Sequence, residues 1–209
     1  MENVFRIYPH LQRLLSLPKE ACTVFAATCC ERLLPNYRAF SLIENWGDPQ
    51  VLENALEFVW TTVLSAKLDK EYSATLIRAC EEVAPDSEDF DSLFTGNAID
   101  AAGAIYYALH SLQDQNPEHA INAGRTALRS VEDYLFGVNA PDFLPRVSDP
   151  KVHQWLDQAP LMKAEIYIQE ITISELESKG VPLDKTTIDN LRRTSAGTGI
   201  QPFLRGLVK

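Results

Sequence analysis

Apolar residues recur along the chain at the three- and four-residue spacing of a helix face, and prolines, glycines and cap residues cut that pattern into segments. Leu11, Leu14 and Leu15 stand behind Pro9 and predict a short first helix over 10–17. From Lys19 onward, Cys22, Phe25, Ala26, Cys29, Cys30 and Leu33 predict a helix that Pro35 and Asn36 interrupt after Leu34. Tyr37, Phe40 and Ile43 then mark a shorter helix ending near Gly47. Asp48-Pro49 sets an N-cap acceptor before a proline at the first helical position, and Leu52, Leu56, Val59, Trp60 and Val63 continue on one face. Leu76, Ile77 and Cys80 predict a helix over 73–83, ahead of the acidic turn 85–89.

The segment 97–112 is rich in alanine, so neighbours can approach it closely, which places it at the centre of a bundle. Asn116-Pro117 starts a helix that stops at Gly137, and 138–148 reads as loop. Asp149-Pro150 starts another, which Pro160 separates from a longer helix over 161–178, and a last short helix is expected over 186–194. No alternating run with hairpin turns is present in the sequence, so the expected fold class is all-α. It is a single-domain multi-helix bundle of about eight or nine helices over 1–196, with a C-terminal tail at 197–209.

At 209 residues and 45% hydrophobic, the chain is long enough to bury one substantial core. Its longest apolar stretch, 21–30, runs at once into Glu31 and Arg32 and falls short of a bilayer span, and its first residues lack the pattern of a signal peptide. The expectation is a cytoplasmic protein with no membrane partner. Cys22, Cys29 and Cys30 share one helical face, where thiols act as small apolar groups, and neither a disulfide framework nor a C-x-x-C pair is present. A net charge of −10 repels nucleic acid, so none is expected as partner. The charge is also segregated: Cys80 to Gly124 contains no Lys or Arg, whereas Lys185, Arg192, Arg193, Arg205 and Lys209 face only Asp184 and Asp189 after Val181. An acidic middle and a basic end favour contact within one chain or between two copies.

The pieces CERLLPNYRAF, WGDPQVLENALEFVW, DSEDFDSLF followed by AIDA, EHAINAGRTALRSVEDYL and DPKVHQW occur in that order and at separations that resemble the YjaG-like family of uncharacterised bacterial helical proteins. The resemblance runs from about Leu11 to about Ile200 and leaves QPFLRGLVK outside it. It implies an all-α, cytoplasmic bacterial protein. It implies no reaction and carries over no functional residue.

Candidate chemistry therefore rests on individual residues. Asp100, set among Ala98, Ile99, Ala101 and Ala102, needs a partner if buried, and Arg32 is an available one. A candidate polar pocket gathers Glu31, Arg32, Tyr37, Trp46, Asp48 and Asp100, with Phe40 beside the Gly47-Asp48 turn; a structural ion pair or cap is the favoured role for its acids. His110 with Asp114 and His153 with Asp157 lie one helical turn apart, but no Glu-x-x-His pair is present, and the acidic run 86–91 lacks the spacing of a calcium loop. No metal and no cofactor are expected. Nucleophile elbows, Walker loops and dinucleotide fingerprints are missing from the sequence.

Two functions stay open. One is a non-catalytic binding or self-associating module acting through a bundle face or through Ile200, Phe203, Leu204 and Leu207. The other is a hydrolase or metal-dependent enzyme built on Glu31, Asp48, Glu53, Glu57 and Asp100.

Overall fold

The computed structural model describes residues 2–92, 94–139 and 150–196. The described residues form ten helices and no strand: α1 Glu2–Ile7, a 3₁₀ helix Pro9–Ser16, α2 Lys19–Glu44, α3 Pro49–Ser65, α4 Lys70–Glu82, α5 Thr95–Asp114, α6 Pro117–Asn139, α7 Pro150–Gln158, α8 Pro160–Ser178 and α9 Lys185–Ala196. The first of them is not foreseen by the apolar pattern, and the segment behind Pro9 is 3₁₀ rather than α. The expected tail at 197–209 and the loop from 140 lie outside the described residues.

The main departure from expectation is α2. Pro35 does not end it; the helix runs unbroken for 26 residues, about 39 Å at 1.5 Å per residue. A proline inside a helix removes one hydrogen bond and costs about 3 kcal/mol in isolation. Burial offsets that cost here. Every residue from Ala21 to Cys30 is buried, and beyond the proline so are Asn36, Tyr37, Ala39 and Phe40, so the helix is held by packing on both flanks of Pro35. A helix that is apolar all round must lie inside the protein. Accordingly α2 packs against α3, α5, α6, α8 and α9.

The alanine-rich α5 lies along α2, as its small residues suggest, with Ala98, Ala101, Ala104, Ile105 and Ala108 fully buried. The α5 and α6 helices form a hairpin through Gln115, and α6 in turn holds α8 and the 3₁₀ helix. The four cysteines are all buried and free, as a core role requires. The last helix, α9, runs parallel to α2: Leu183 N donates to Glu20 Oε1 at 2.9 Å, and Arg192 reaches Glu31 further along.

The turn from α2 to α3 uses Asn45 and Gly47 at φ 51° and 78°, after which Asp48 caps α3 by accepting from Gln50 N at 2.9 Å. A side chain at Gly47 would run into the Tyr37 hydroxyl, which donates to Val83 O at 2.6 Å. Gly47→Ala is therefore expected to lower stability by about 1–3 kcal/mol, combining a strained φ with displacement of Tyr37. Thermal unfolding checks this; an unchanged midpoint would mean that the turn relaxes freely.

Candidate functional site

A groove of about 280 Å³ lies between α2, α3 and α9, lined by Glu31, Leu34, Arg38, Gln50, Glu53, Asn54, Leu56, Glu57 and Arg192. Glu31 projects from the middle of α2, and Glu53 and Glu57 share one face of α3 at a four-residue spacing. Arg192 enters from α9. Its Nε donates to Glu31 Oε1 at 2.9 Å and its Nη2 to Glu57 Oε2 at 2.6 Å, while the guanidinium carbon stands 5.7 Å from the centre of the Trp60 ring. Trp60 Nε1 also donates to Glu31 Oε1 at 2.8 Å, and Arg38 Nε donates to Glu53 Oε1 at 2.7 Å. Burial pushes the Glu31 carboxyl above its ordinary range, against the pull of Arg192 and the Trp60 hydrogen bond. The groove thus holds three carboxylates against two guanidiniums, with the buried Trp60 ring beneath Arg192.

Arg32, the residue after Glu31, points to the other side of α2. It is 1% exposed, and its Nε and Nη2 donate to Glu165 of α8 at 3.0 and 2.8 Å, with Nη1 on Thr28 O at 2.9 Å. Gln169 donates to Glu165 Oε1 at 2.8 Å and to Gly124 O at 3.0 Å, and its own carbonyl meets His10 Nε2 at 3.0 Å. This network ties α2, α6, α8 and the 3₁₀ helix together and is closed to solvent. Cys29 lies against it, with burial raising its thiol to about 12 despite the nearby Arg32, and burial raises the Cys80 thiol equally to about 12 and the Cys22 thiol to about 11. Thiols so raised are poor nucleophiles at neutral pH.

Asp100 is not paired with Arg32. It faces α6, where Arg129 Nε and Nη2 both donate to its Oδ1, the former at 2.8 Å, and its Oδ2 is buried with no donor among the described residues. Burial raises this carboxyl to about 7; Arg129 opposes the rise, and Asp133 and Glu132 add to it. One turn earlier, Asn97 of α5 and Asn36 of α2 both donate to Ser130 Oγ, at 2.8 and 3.2 Å, so the Asp100 region joins the three central helices.

The pocket expected from sequence is therefore divided. Glu31 lines the groove, Arg32 is held in a buried ion pair with Glu165, Asp100 is buried against the exposed Arg129, and Asp48 is an exposed N-cap. The expected aromatic cleft is filled: Trp46 packs edge-on to Phe40 and Phe90, at 6.1 and 5.1 Å between ring centres, and Tyr37 lies against Phe40. Of the five carboxylates suggested for an enzyme, Glu31, Glu53 and Glu57 share the groove and Asp48 and Asp100 do not. At the α5–α6 turn His119 Nε2 meets Asp114 Oδ2 at 2.9 Å, and His110, one helical turn before Asp114, stacks on the His119 ring. The side chain of His153 lies outside the described residues. Among the described residues, no three His, Cys, Asp or Glu side chains converge as metal ligands. No helix there is long and apolar enough to cross a membrane.

Sequence reasoning missed Arg192, Arg38 and Glu165. The basic character of the last helix was a visible signal for Arg192. Glu165 gave none, since its partner is 133 residues away.

The profile of the family described as "Protein of unknown function (DUF416)" matches residues 9–201. The chain is 33% identical over 126 residues to the uncharacterised protein YjaG of Escherichia coli K12, a stretch covering 60% of this chain and 62% of that protein. An uncharacterised protein of Haemophilus influenzae is 32% identical over 133 residues, 62% of each chain. The matched stretch thus spans less than two thirds of these curated relatives' length. A crystal structure of a DUF416 family protein from Shewanella baltica OS155 superposes with a TM-score of 0.80 at 26% identity, covering 90% of this chain and 94% of the other. With the family profile spanning most of its length and the same helical fold in that structure, the chain belongs to the DUF416 family of proteins of unknown function.

Proposed function

We propose that this protein is a non-catalytic, cytoplasmic binding module whose recognition surface is the groove between α2, α3 and α9, and that its ligand is a basic segment of a protein, either a partner or a second copy of the chain. The observation that carries the reading is the arrangement of Glu31, Glu53 and Glu57 around one open groove that already holds a guanidinium. Three carboxylates facing two arginines leave an excess acid, so a positively charged segment is the favoured visitor. The overall charge of −10 favours the same encounter at longer range.

The enzyme reading has less support. A hydrolytic site needs a carboxylate free to accept a proton or hold a metal, and each groove carboxylate is already bonded to an arginine.

The test is a fluorescence titration with a short peptide of alternating Lys and Arg, using Trp60 as reporter and Trp60→Phe as control for Trp46 and Trp155. The peptide is expected to shift the emission of the native protein, more weakly as salt rises, and Glu53→Gln with Glu57→Gln is expected to weaken binding about tenfold. An acidic peptide of equal length should do nothing. Equal binding by the native and doubly substituted proteins would overturn the reading.

A further inference from the structure

We infer that Arg192 is a stand-in ligand: the pocket formed by Glu31, Glu57 and Trp60 is a guanidinium receptor, and an arginine of a partner segment enters it by displacing α9. The inference rests on the groove reading and narrows it from basic segments in general to arginine.

The geometry around Arg192 selects a guanidinium over an ammonium. Two nitrogens of the planar group are used at once, Nε on Glu31 and Nη2 on Glu57, from carboxylates on two different helices. Its carbon stands 5.7 Å from the Trp60 ring centre, within cation–π range. An ammonium is a compact point charge with no planar fork and would satisfy fewer of these contacts. The receptor half is rigid: Trp60 is 1% exposed and fixed by its bond to Glu31, and α2 and α3 are both core helices.

The ligand half packs through one face. Along α9 only Thr187, Ile188, Leu191 and Ser195 are buried, and its main helix contact is α2. Arg192 itself is 38% exposed. Taking Arg192 away leaves the Glu31 side chain, 11% exposed, without its cation, and a carboxylate so enclosed favours whatever guanidinium arrives next. A receptor occupied by a tethered copy of its ligand binds external ligand more weakly by the fraction of time it stands open. Displacement therefore couples binding to release of α9.

The experiment uses the full chain and its Arg192→Ala variant, with N-acetyl-arginine amide and N-acetyl-lysine amide as probes and Trp60 emission as readout. The variant is expected to bind the arginine probe about tenfold or more tightly than the native protein, to prefer it over the lysine probe, and to lose it when Glu57→Gln is added. In the native protein, saturating basic peptide is expected to speed hydrogen exchange of the 185–196 amides. Equal affinity of native and variant chains, equal affinity for both probes, or unchanged exchange in α9 would each overturn the inference. In those cases peptide binding that still depends on Glu53 and Glu57 leaves the broader groove reading standing, whereas absence of that dependence removes both. Should Arg192→Ala fail to fold, Arg192→Gln supplies the same comparison with a side chain of similar reach.

Discussion

Replacing Glu165 with alanine is expected to lower the free energy of unfolding by about 3–5 kcal/mol, the range found when one member of a buried ion pair is removed and the other stays charged. Arg32 is the reason. It is 1% exposed, its guanidinium keeps its proton at any ordinary pH, and among the described residues no other carboxylate bonds to it. The loss spreads further, because Gln169 donates to Glu165 and to Gly124 O and meets His10 through its carbonyl, so α8 loses its registration on α2, α6 and the 3₁₀ helix together. Removing both charges, as Arg32→Met with Glu165→Leu, is expected to recover most of the loss, since two apolar side chains of similar volume replace a pair that is costly to desolvate. Urea unfolding of the two single variants and the double variant gives the coupling directly. A loss below about 1 kcal/mol for Glu165→Ala would show that water reaches Arg32 and that the network is not closed. Neither substitution touches the groove, because Glu31 and Arg32 leave α2 on different sides. Peptide binding and stability should therefore separate, with Glu57→Gln moving the first and Glu165→Ala the second.

That separation of neighbouring residues explains how far the sequence could be read. Local signals worked where a residue acts on its own helix: Asp48 caps α3, Asn116 accepts from Glu118 N at 3.0 Å to start α6, and Pro160 opens α8. The all-α class and the central place of the alanine-rich helix followed from spacing alone. Pro35 misled because a proline's local cost says nothing of the burial of Asn36, Tyr37 and Phe40 beyond it, and tertiary packing won. Arg32 was matched with Asp100 because each is a charge in an apolar stretch in need of a partner. Which partner each found depended on helix packing between residues far apart in sequence, Glu165 for one and Arg129 for the other. The groove was half legible: Glu31, Glu53 and Glu57 were named, but their convergence with Arg192 needs α9 to return along α2, and no local signal encodes that return.

Asp100 gives the second large effect, and its sign is set by protons. In the folded chain burial holds its carboxyl at about 7, against 3.8 as its ordinary value, so between these limits the folded state binds the proton that the unfolded state has lost. Stability contributed by the neutral acid is complete below 3.8 and is lost as pH rises through about 7. Three units correspond to about 4 kcal/mol at full effect. Asp100→Asn, uncharged at every pH, should match the native protein near pH 4 and exceed its stability by an amount approaching that figure at pH 8. His10 and His110 act in the opposite sense. Burial lowers both below 6.5, so the stability of their neutral forms is present above that value and is lost as pH falls through the folded-state pKa. Glu165, Glu170 and Arg13 face His10, while His119, Asp114 and Glu81 face His110; these groups are common to both proteins, so their contribution cancels in the difference between native chain and variant. Asp133, also raised by burial and also facing Arg129, should leave a shallower slope of the native sign in the variant. Urea midpoints for both proteins from pH 4 to pH 8 decide the matter: diverging curves mean that Asp100 enters the fold as an acid, and parallel curves mean that Arg129 keeps it ionised throughout.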